Sequence, residues 1–178
     1  MRNLKSIAGS ALMLTLICGV VVAALAATNL LTADTIAASE AAATKEACLT
    51  VLPSAETFEA VSEIQADGVQ EVYEGKAGDG TTTGYVVKTS TVGKASGLVV
   101  MTGIDMNGTV CGVQVVSDGE TAGYVDTVKK GGLLDRLTGI TGDAASVDGV
   151  SQATKTSNGI KKGVQLALTV FEEVNGNG

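Results

Sequence analysis

Histidine and tryptophan are absent from this 178-residue chain, and aromatic residues make up only 3% of it. Without histidine, the chain lacks the commonest general base of enzymes and the commonest protein ligand of metals. A hydrolase triad and a histidine-containing zinc site are therefore excluded. A core is still feasible, because valine, isoleucine, leucine and alanine are plentiful after residue 48.

Cysteine is also scarce, and its spacing is uninformative. The three cysteines are Cys18, Cys48 and Cys111. An odd, widely spaced set is typical of neither a disulfide framework nor a zinc site. We therefore interpret them as free thiols; a pairing of Cys48 with Cys111 would depend on the fold.

Positive charge is in short supply as well. The net charge is -7 and the isoelectric point is near 4.5. An acidic surface repels a phosphate backbone, so nucleic-acid binding is disfavoured.

A long uncharged segment lies near the N-terminus. No charged residue occurs from Ser6 to Ala33, which exceeds the roughly 20 apolar residues needed to cross a bilayer. A cleaved signal peptide is the alternative, with Ala24-Leu25-Ala26 as a candidate cleavage site. The length of the apolar run from Leu12 to Ala27 favours a retained transmembrane helix.

The charges on either side of this segment predict its orientation. Arg2 and Lys5 precede it, whereas Asp34, Glu40 and Glu46 follow it. The positive-inside rule then places the N-terminus in the cytoplasm and the remainder outside.

The remainder is predicted to be one α+β domain, an antiparallel sheet with packed helices. Alanine-rich residues 33–47 favour a helix that ends near Val51-Leu52-Pro53. Residues 54–66 look like a second short helix or turn, with Ser54 as a cap. Alternating or β-branched residues then predict four strands, with Gly78-Asp79-Gly80 and Asn107-Gly108 as turns. The strands are Val69–Tyr73, Gly84–Thr91, Leu98–Asp105 and Thr109–Ser117.

Three further segments follow the strands. Tyr124–Lys130 is expected to be a short helix, and Leu133–Ile140 is either a strand or a helical turn. Gly159–Val174 carries apolar residues spaced by three or four, which predicts an amphipathic helix.

The segment before this last helix is rich in hydroxyl groups. Residues 148–159 read Asp-Gly-Val-Ser-Gln-Ala-Thr-Lys-Thr-Ser-Asn-Gly. A helix N-terminus presents free N–H groups that suit a phosphate, and lysines follow at positions 155, 161 and 162. The ordinary alternative is a helix cap, with Thr156 or Ser157 as the cap residue.

The stretch Asp148–Thr154 resembles the flavinylation motif of FMN-binding domains, Asp-x-x-Ser/Thr-Gly-Ala-Thr. In that family the last threonine carries FMN through a phosphoester, which implies covalent FMN on Thr154. Gln152 stands where the motif has glycine. If that glycine requires a positive φ, or a close approach to the flavin transferase that attaches FMN, glutamine would impair the modification.

Other landmarks resemble the same family in the same order. Residues 120–124, Glu-Thr-Ala-Gly-Tyr, are similar to a Glu-Thr-Pro-Gly-Leu-Gly loop near the flavin, so Tyr124 replaces a leucine. With the N-terminal helix and the 103–113 hairpin, the order is similar to that of the G subunits of Rnf electron-transport complexes, related to the longer NqrC proteins. The cofactor contacts that this implies are Ser151, Ala153, Thr154, Thr156, Ser157, Glu120, Thr121 and Gly123.

The resemblance also implies a role for each part of the chain and for its partners. Residues 1–33 would be the cytoplasmic tip and transmembrane anchor, 34–53 a helical connector, and 54–178 the extracytoplasmic FMN-binding domain. The Thr154 hydroxyl is a weak nucleophile, so a separate flavin transferase using FAD and Mg²⁺ would attach the flavin. Other Rnf subunits would supply the iron–sulfur and NAD sites, since the chain has neither pattern.

Two other functions remain open. The chain could be a stand-alone, membrane-anchored FMN-binding protein for extracellular electron transfer, or a structural subunit without flavin. If the chain carries flavin, as an Rnf subunit or as a stand-alone protein, its acidic domain would disfavour the anionic reduced flavin unless local donors compensate.

Overall fold

The computed structural model describes residues 2–61, 66–119 and 123–176; within them, the side chains of 2–11, 27, 29–40, 117 and 118 are not described. The chain divides into two compact units, Met1–Ala43 and Thr44–Gly178. The secondary structure is α+β, as expected, with one five-stranded antiparallel sheet and packed helices.

The first helix, α1, covers Arg2–Val51 and ends just before Pro53, as the sequence predicts. Large apolar side chains between Leu12 and Leu25 are more than half exposed to solvent. No helix in the described part of the chain has a stretch long and apolar enough to cross a membrane. The transmembrane anchor therefore stays a prediction.

The sheet is a meander in which each strand pairs with its neighbours in sequence, in the order β1 to β5. The strands are β1 (Thr57–Ala60), β2 (Val69–Lys76), β3 (Thr82–Val92), β4 (Ser96–Asp105) and β5 (Val110–Asp118). The predicted Asn-Gly hairpin joins β4 to β5. Its geometry is fixed by Asp105, whose Oδ1 accepts hydrogen bonds from the backbone N–H groups of Asn107 and Thr109, both at 2.9 Å.

The predicted helix or turn over residues 54–66 is wrong in part. A turn follows Pro53, but Thr57–Ala60 then forms β1, an edge strand that pairs antiparallel with Ala60 opposite Tyr73 and Thr57 opposite Lys76. Sheet hydrogen bonding to β2 outweighs the weak helical preference of this short segment. Residues 62–65 lie outside the described residues.

The remaining helices follow the sheet. Tyr124–Lys130 forms α2, as predicted, and Leu133–Leu137 forms the short helix α3, which decides the question left open for that segment. A single 3₁₀ turn covers Ala144–Ser146. Helix α4 covers Thr154–Gly176. It begins five residues earlier than the predicted Gly159, so the hydroxyl-rich segment forms its first turn.

Helices cover both faces of the sheet in the second unit. On one face, α2, α3 and α4 enclose the larger apolar cluster, which includes Val87, Val100, Ile160 and Val164. On the other face, the end of α1 packs through Cys48, Val51 and Leu52 onto Val86 and Met101. The alternation of side chains along the strands divides Val86 from Val87 in this way.

The buried position of Cys48 determines its chemistry. Burial, with a further contribution from the nearby Glu71 carboxylate, raises the pKa of the Cys48 thiol to about 11. All three cysteines are unpaired in the structure. Since the thiolate is the reactive form, Cys48 behaves as a small apolar core residue at neutral pH.

Glycines at one cross-strand pair allow the C-terminal end of α1 to lie against the sheet. Gly103 on β4 is directly opposite Gly112 on β5. A Cβ on Gly103 would overlap the Val51 carbonyl, and one on Gly112 would lie 2.9 Å from the Val51 Cα. The end of α1 therefore depends on two missing side chains.

We predict that Gly103→Ala will lower the free energy of unfolding of the full-length protein by about 1–3 kcal/mol, the usual cost of overpacking. Chemical denaturation followed by circular dichroism measures the change. Gly176→Ala is the matched control, because a Cβ there meets nothing within 4 Å. Equal stability of the two variants would contradict the close packing of Val51 on this glycine pair.

Candidate functional site

Three hydrogen bonds order the segment before α4, and two of them tie it to the first turn of the helix. The Val150 N–H donates to the Ser157 Oγ at 3.1 Å. The Ala153 N–H donates to the Val150 carbonyl at 3.2 Å, and the Ser157 N–H donates to the Ala153 carbonyl at 2.8 Å. These bonds fix the backbone on both sides of Thr154.

The helix start corrects the cap interpretation. Thr156 and Ser157 lie inside α4 rather than at its N-cap. The carbonyl of Ala153 accepts the first helical hydrogen bond, and alanine has no side-chain oxygen with which to cap the helix. The backbone N–H groups of the first turn of α4 therefore donate no hydrogen bond to a capping side chain at residue 153.

Gln152 has an unusual backbone conformation. Its φ is 69°, and it is the one non-glycine residue with a positive φ in the described ranges. A side chain in the left-handed region costs roughly 1 kcal/mol or more. Residue 152 thus has a backbone conformation that glycine would adopt without steric cost.

A pocket of about 250 Å³ opens beside this segment. The turn between β3 and β4 contributes Lys94, and the first residue of α2 contributes Tyr124; the rest of its lining is the run from Gln152 to Thr156. Thr154 is exposed at the pocket, whereas Thr156 is fully buried.

The hydroxyl of Thr156 has no hydrogen-bond partner in the described structure. Two other buried side-chain atoms share this property, on Thr102 and Gln114, but these lie in strands and do not line the pocket. An unsatisfied buried hydroxyl costs about 1–3 kcal/mol. A ligand with acceptor oxygens would remove that cost at Thr156.

The lining fits the phosphate end of FMN. The uncapped first turn of α4, the Thr156 hydroxyl and the Lys155 ammonium group together offer donors and positive charge to a phosphate ester. A flavin held there would supply the redox chemistry, and the protein its position and electrostatics.

The three lysines after Thr154 have different roles. Lys155 lines the pocket. Lys161 instead donates from its Nζ to the carbonyls of Ala145 and Val147, at 3.1 and 3.0 Å, and so ties α4 to the 3₁₀ turn. Lys162 is exposed.

Asp148 is held through its backbone. Its carbonyl accepts a 3.1 Å hydrogen bond from the Arg136 Nη2, while the Arg136 Nη1 donates to the Gly131 carbonyl at 2.8 Å. The Arg136 side chain thereby connects the start of the motif to the turn between α2 and α3.

The predicted contact residues are placed unevenly. Ser151 and Thr154 are exposed; Ala153, Thr156 and Ser157 are buried. Of these, Ser151 and Ser157 do not line the pocket.

The other predicted contacts belong to the loop before α2. Gly123, with a φ of 88°, directly precedes Tyr124. Glu120 and Thr121 lie outside the described residues.

Sequence reasoning missed Lys94. A signal was present, since Lys94 is the single cation between Lys88 and Lys129, but nothing local placed it near Thr154. Tyr124 was noted as a departure from the leucine of the family loop rather than as part of a pocket wall.

Comparisons with known proteins agree with this geometry. Residues 93–169 match the FMN-binding domain family, and residues 1–51 match the RnfG N-terminal region. The chain thus contains an FMN-binding domain. It is 30% identical, over 92% of its own length and 91% of the relative's, to the G subunit of the Na(+)-translocating ferredoxin:NAD(+) oxidoreductase complex of Acetobacterium woodii. The chain belongs to the family of Rnf complex G subunits.

We predict that Gln152→Gly will raise the free energy of unfolding by up to about 1 kcal/mol, because it removes left-handed strain, less the entropy that glycine adds to the unfolded chain. Gln152→Ala is the control, since it shortens the side chain but keeps the strain. Denaturant titration of both variants measures the difference. A glycine variant no more stable than the alanine variant would contradict the strain at this position.

We also predict that Thr156→Val will leave the flavin-free protein as stable as the wild type or more stable, by about 1 kcal/mol, because it replaces an unsatisfied hydroxyl with a methyl of similar shape. Thermal unfolding of the flavin-free protein measures this change. The exposed Thr154→Val serves as the control. A loss of more than about 1 kcal/mol on Thr156→Val would mean that the hydroxyl has a partner in the flavin-free fold.

Proposed function

We propose that this protein is the electron-transfer subunit of an Rnf-type, ion-translocating ferredoxin:NAD oxidoreductase complex, and that it carries FMN covalently on Thr154. Membership in the family of Rnf complex G subunits supports the assembly. The site supports the linkage, because Thr154 is exposed and lines a pocket whose lining suits a phosphate ester.

The unpartnered hydroxyl of Thr156 carries the proposal most directly. It lies two residues beyond Thr154, inside the first turn of α4 and fully buried. Natural proteins rarely leave such a group without a partner. A phosphoester on Thr154 brings acceptor oxygens to the same turn.

The proposal includes maturation and position in the cell. With no histidine to activate Thr154, a separate flavin transferase attaches the flavin. The uncharged segment from Ser6 to Ala33 anchors the chain in the cell membrane as a single pass, with the N-terminus in the cytoplasm and residues 54–178 outside. The exposed apolar side chains between Leu12 and Leu25 suit contact with lipid.

One observation favours a second candidate, a structural subunit without covalent flavin. Gln152 occupies a left-handed position in the motif, and its side chain lines the pocket beside Thr154. If the flavin transferase needs a bare backbone there, glutamine would block its approach.

One experiment decides between these candidates. We predict that the full-length protein, co-expressed with a flavin transferase and denatured, will give a fluorescent flavin band in a gel. Thr154→Ala is expected to abolish the band, because the acceptor oxygen is gone. Ser151→Ala, which removes a neighbouring exposed hydroxyl, is expected to retain it.

The other outcomes are equally informative. No band from the wild type, with a band from Gln152→Gly, would favour the subunit without covalent flavin and assign its cause to residue 152. A band that survives Thr154→Ala would move the attachment to another residue.

A further inference from the structure

Lys94 and Tyr124 contact each other across two separate elements. Lys94 belongs to the turn between β3 and β4, and Tyr124 is the first residue of α2. The Lys94 Nζ donates a 2.6 Å hydrogen bond to the Tyr124 hydroxyl and lies 3.9 Å from the centre of its ring. The phenol therefore helps to position the ammonium group.

Both side chains line the pocket that also contains Thr154 and Lys155. Two of the described lining residues are lysines and none carries a carboxylate, although the whole chain has a net charge of -7. The described lining of the pocket is thus cationic, although the chain as a whole is acidic. An ammonium group placed there favours an anion over a neutral ligand.

We propose that Lys94, positioned by Tyr124, stabilises the anionic reduced flavin and so sets the reduction potential of the site. This inference rests on the proposed function, because it requires FMN in this pocket. Reduction adds two electrons from an external donor and one proton to the oxidised ring system, which leaves one negative charge on it. The positive charge of Lys94 would act on that negative charge electrostatically, and the residue takes no other part in the reduction.

A purely structural role makes a different prediction. If the pair only fastened the β3–β4 turn to α2, its removal would change stability but not the balance between oxidised and reduced flavin. Charge near the reactive ring is a principal means by which proteins tune a flavin. The reduction potential therefore distinguishes the two roles.

The test uses the full-length protein flavinylated by co-expression with a transferase, titrated with dithionite against a reference dye. We expect Lys94→Gln to weaken the stabilisation of reduced over oxidised flavin about tenfold, which lowers the two-electron midpoint potential by about 30 mV. Lys94→Arg, which keeps the charge, is expected to restore most of it. Tyr124→Phe, which loses the hydroxyl but keeps the ring, is expected to lower the potential by less.

Lys162→Gln is the matched control, because it removes one positive charge from an exposed position on α4 outside the pocket lining. Equal potentials for Lys94→Gln, Lys162→Gln and the wild type, at equal flavin content, would overturn the proposal and leave the fastening role.

Failure of covalent attachment is distinguishable from failure of this inference. Without a fluorescent band in the gel, the same variants are titrated with added FMN, oxidised and then reduced with dithionite, and the dissociation constants are compared. A tenfold loss confined to the reduced form in Lys94→Gln would support the role of Lys94. No such difference, or no binding of FMN by the wild type, would overturn it.

Discussion

The close approach of α4 to the β3–β4 hairpin is the constraint on which the site depends. Gly159 on the helix has no side chain, and a Cβ there would lie 2.9 Å from the Val92 carbonyl oxygen and 3.0 Å from the Gly93 Cα. The buried Thr91 hydroxyl donates to the Gly159 carbonyl at 3.0 Å. Because Lys94 follows Gly93 directly, this contact brings the cation to the first turn of α4. A larger residue at 159 would separate Lys94 from Thr154.

Strain at Gln152 has a place in the same arrangement. The hydrogen bond from Val150 to the Ser157 hydroxyl and the helical bond from Ser157 to Ala153 fix the chain on both sides of this residue. The backbone between them has to reverse within a few residues, and a left-handed residue achieves this. The surrounding hydrogen bonds therefore hold a conformation that glutamine alone would not choose. The exposed Gln152 side chain lines the pocket beside Thr154.

The sequence predicted those parts of the fold that depend on local pattern. The four strands, the Asn-Gly hairpin, the helix Tyr124–Lys130 and the end of α1 at Val51 follow from alternation, turn residues and one proline. The edge strand Thr57–Ala60 was missed, because its conformation depends on pairing with β2 rather than on its own residues. The first turn of α4 was missed for a related reason. Residues Thr154–Asn158 include no apolar side chain, so the helix leaves no periodic signal there.

The same distinction between local and non-local signals applies to the candidate site. The resemblance to the motif singled out Thr154 and the glutamine at position 152, because the motif consists of consecutive residues. Lys94 and Tyr124 come from different elements and meet only because α4, α2 and the β3–β4 turn converge, which no local pattern records.

This convergence bears on how an acidic protein can hold an anionic cofactor. Net charge acts over distances that salt screens within about 8–10 Å, whereas Lys94 and Lys155 lie at the pocket wall itself. The lysines that line the pocket therefore contribute more to the field inside it than do carboxylates that lie beyond this distance. The excess of carboxylates elsewhere is then compatible with a phosphate and a reduced flavin at this one place.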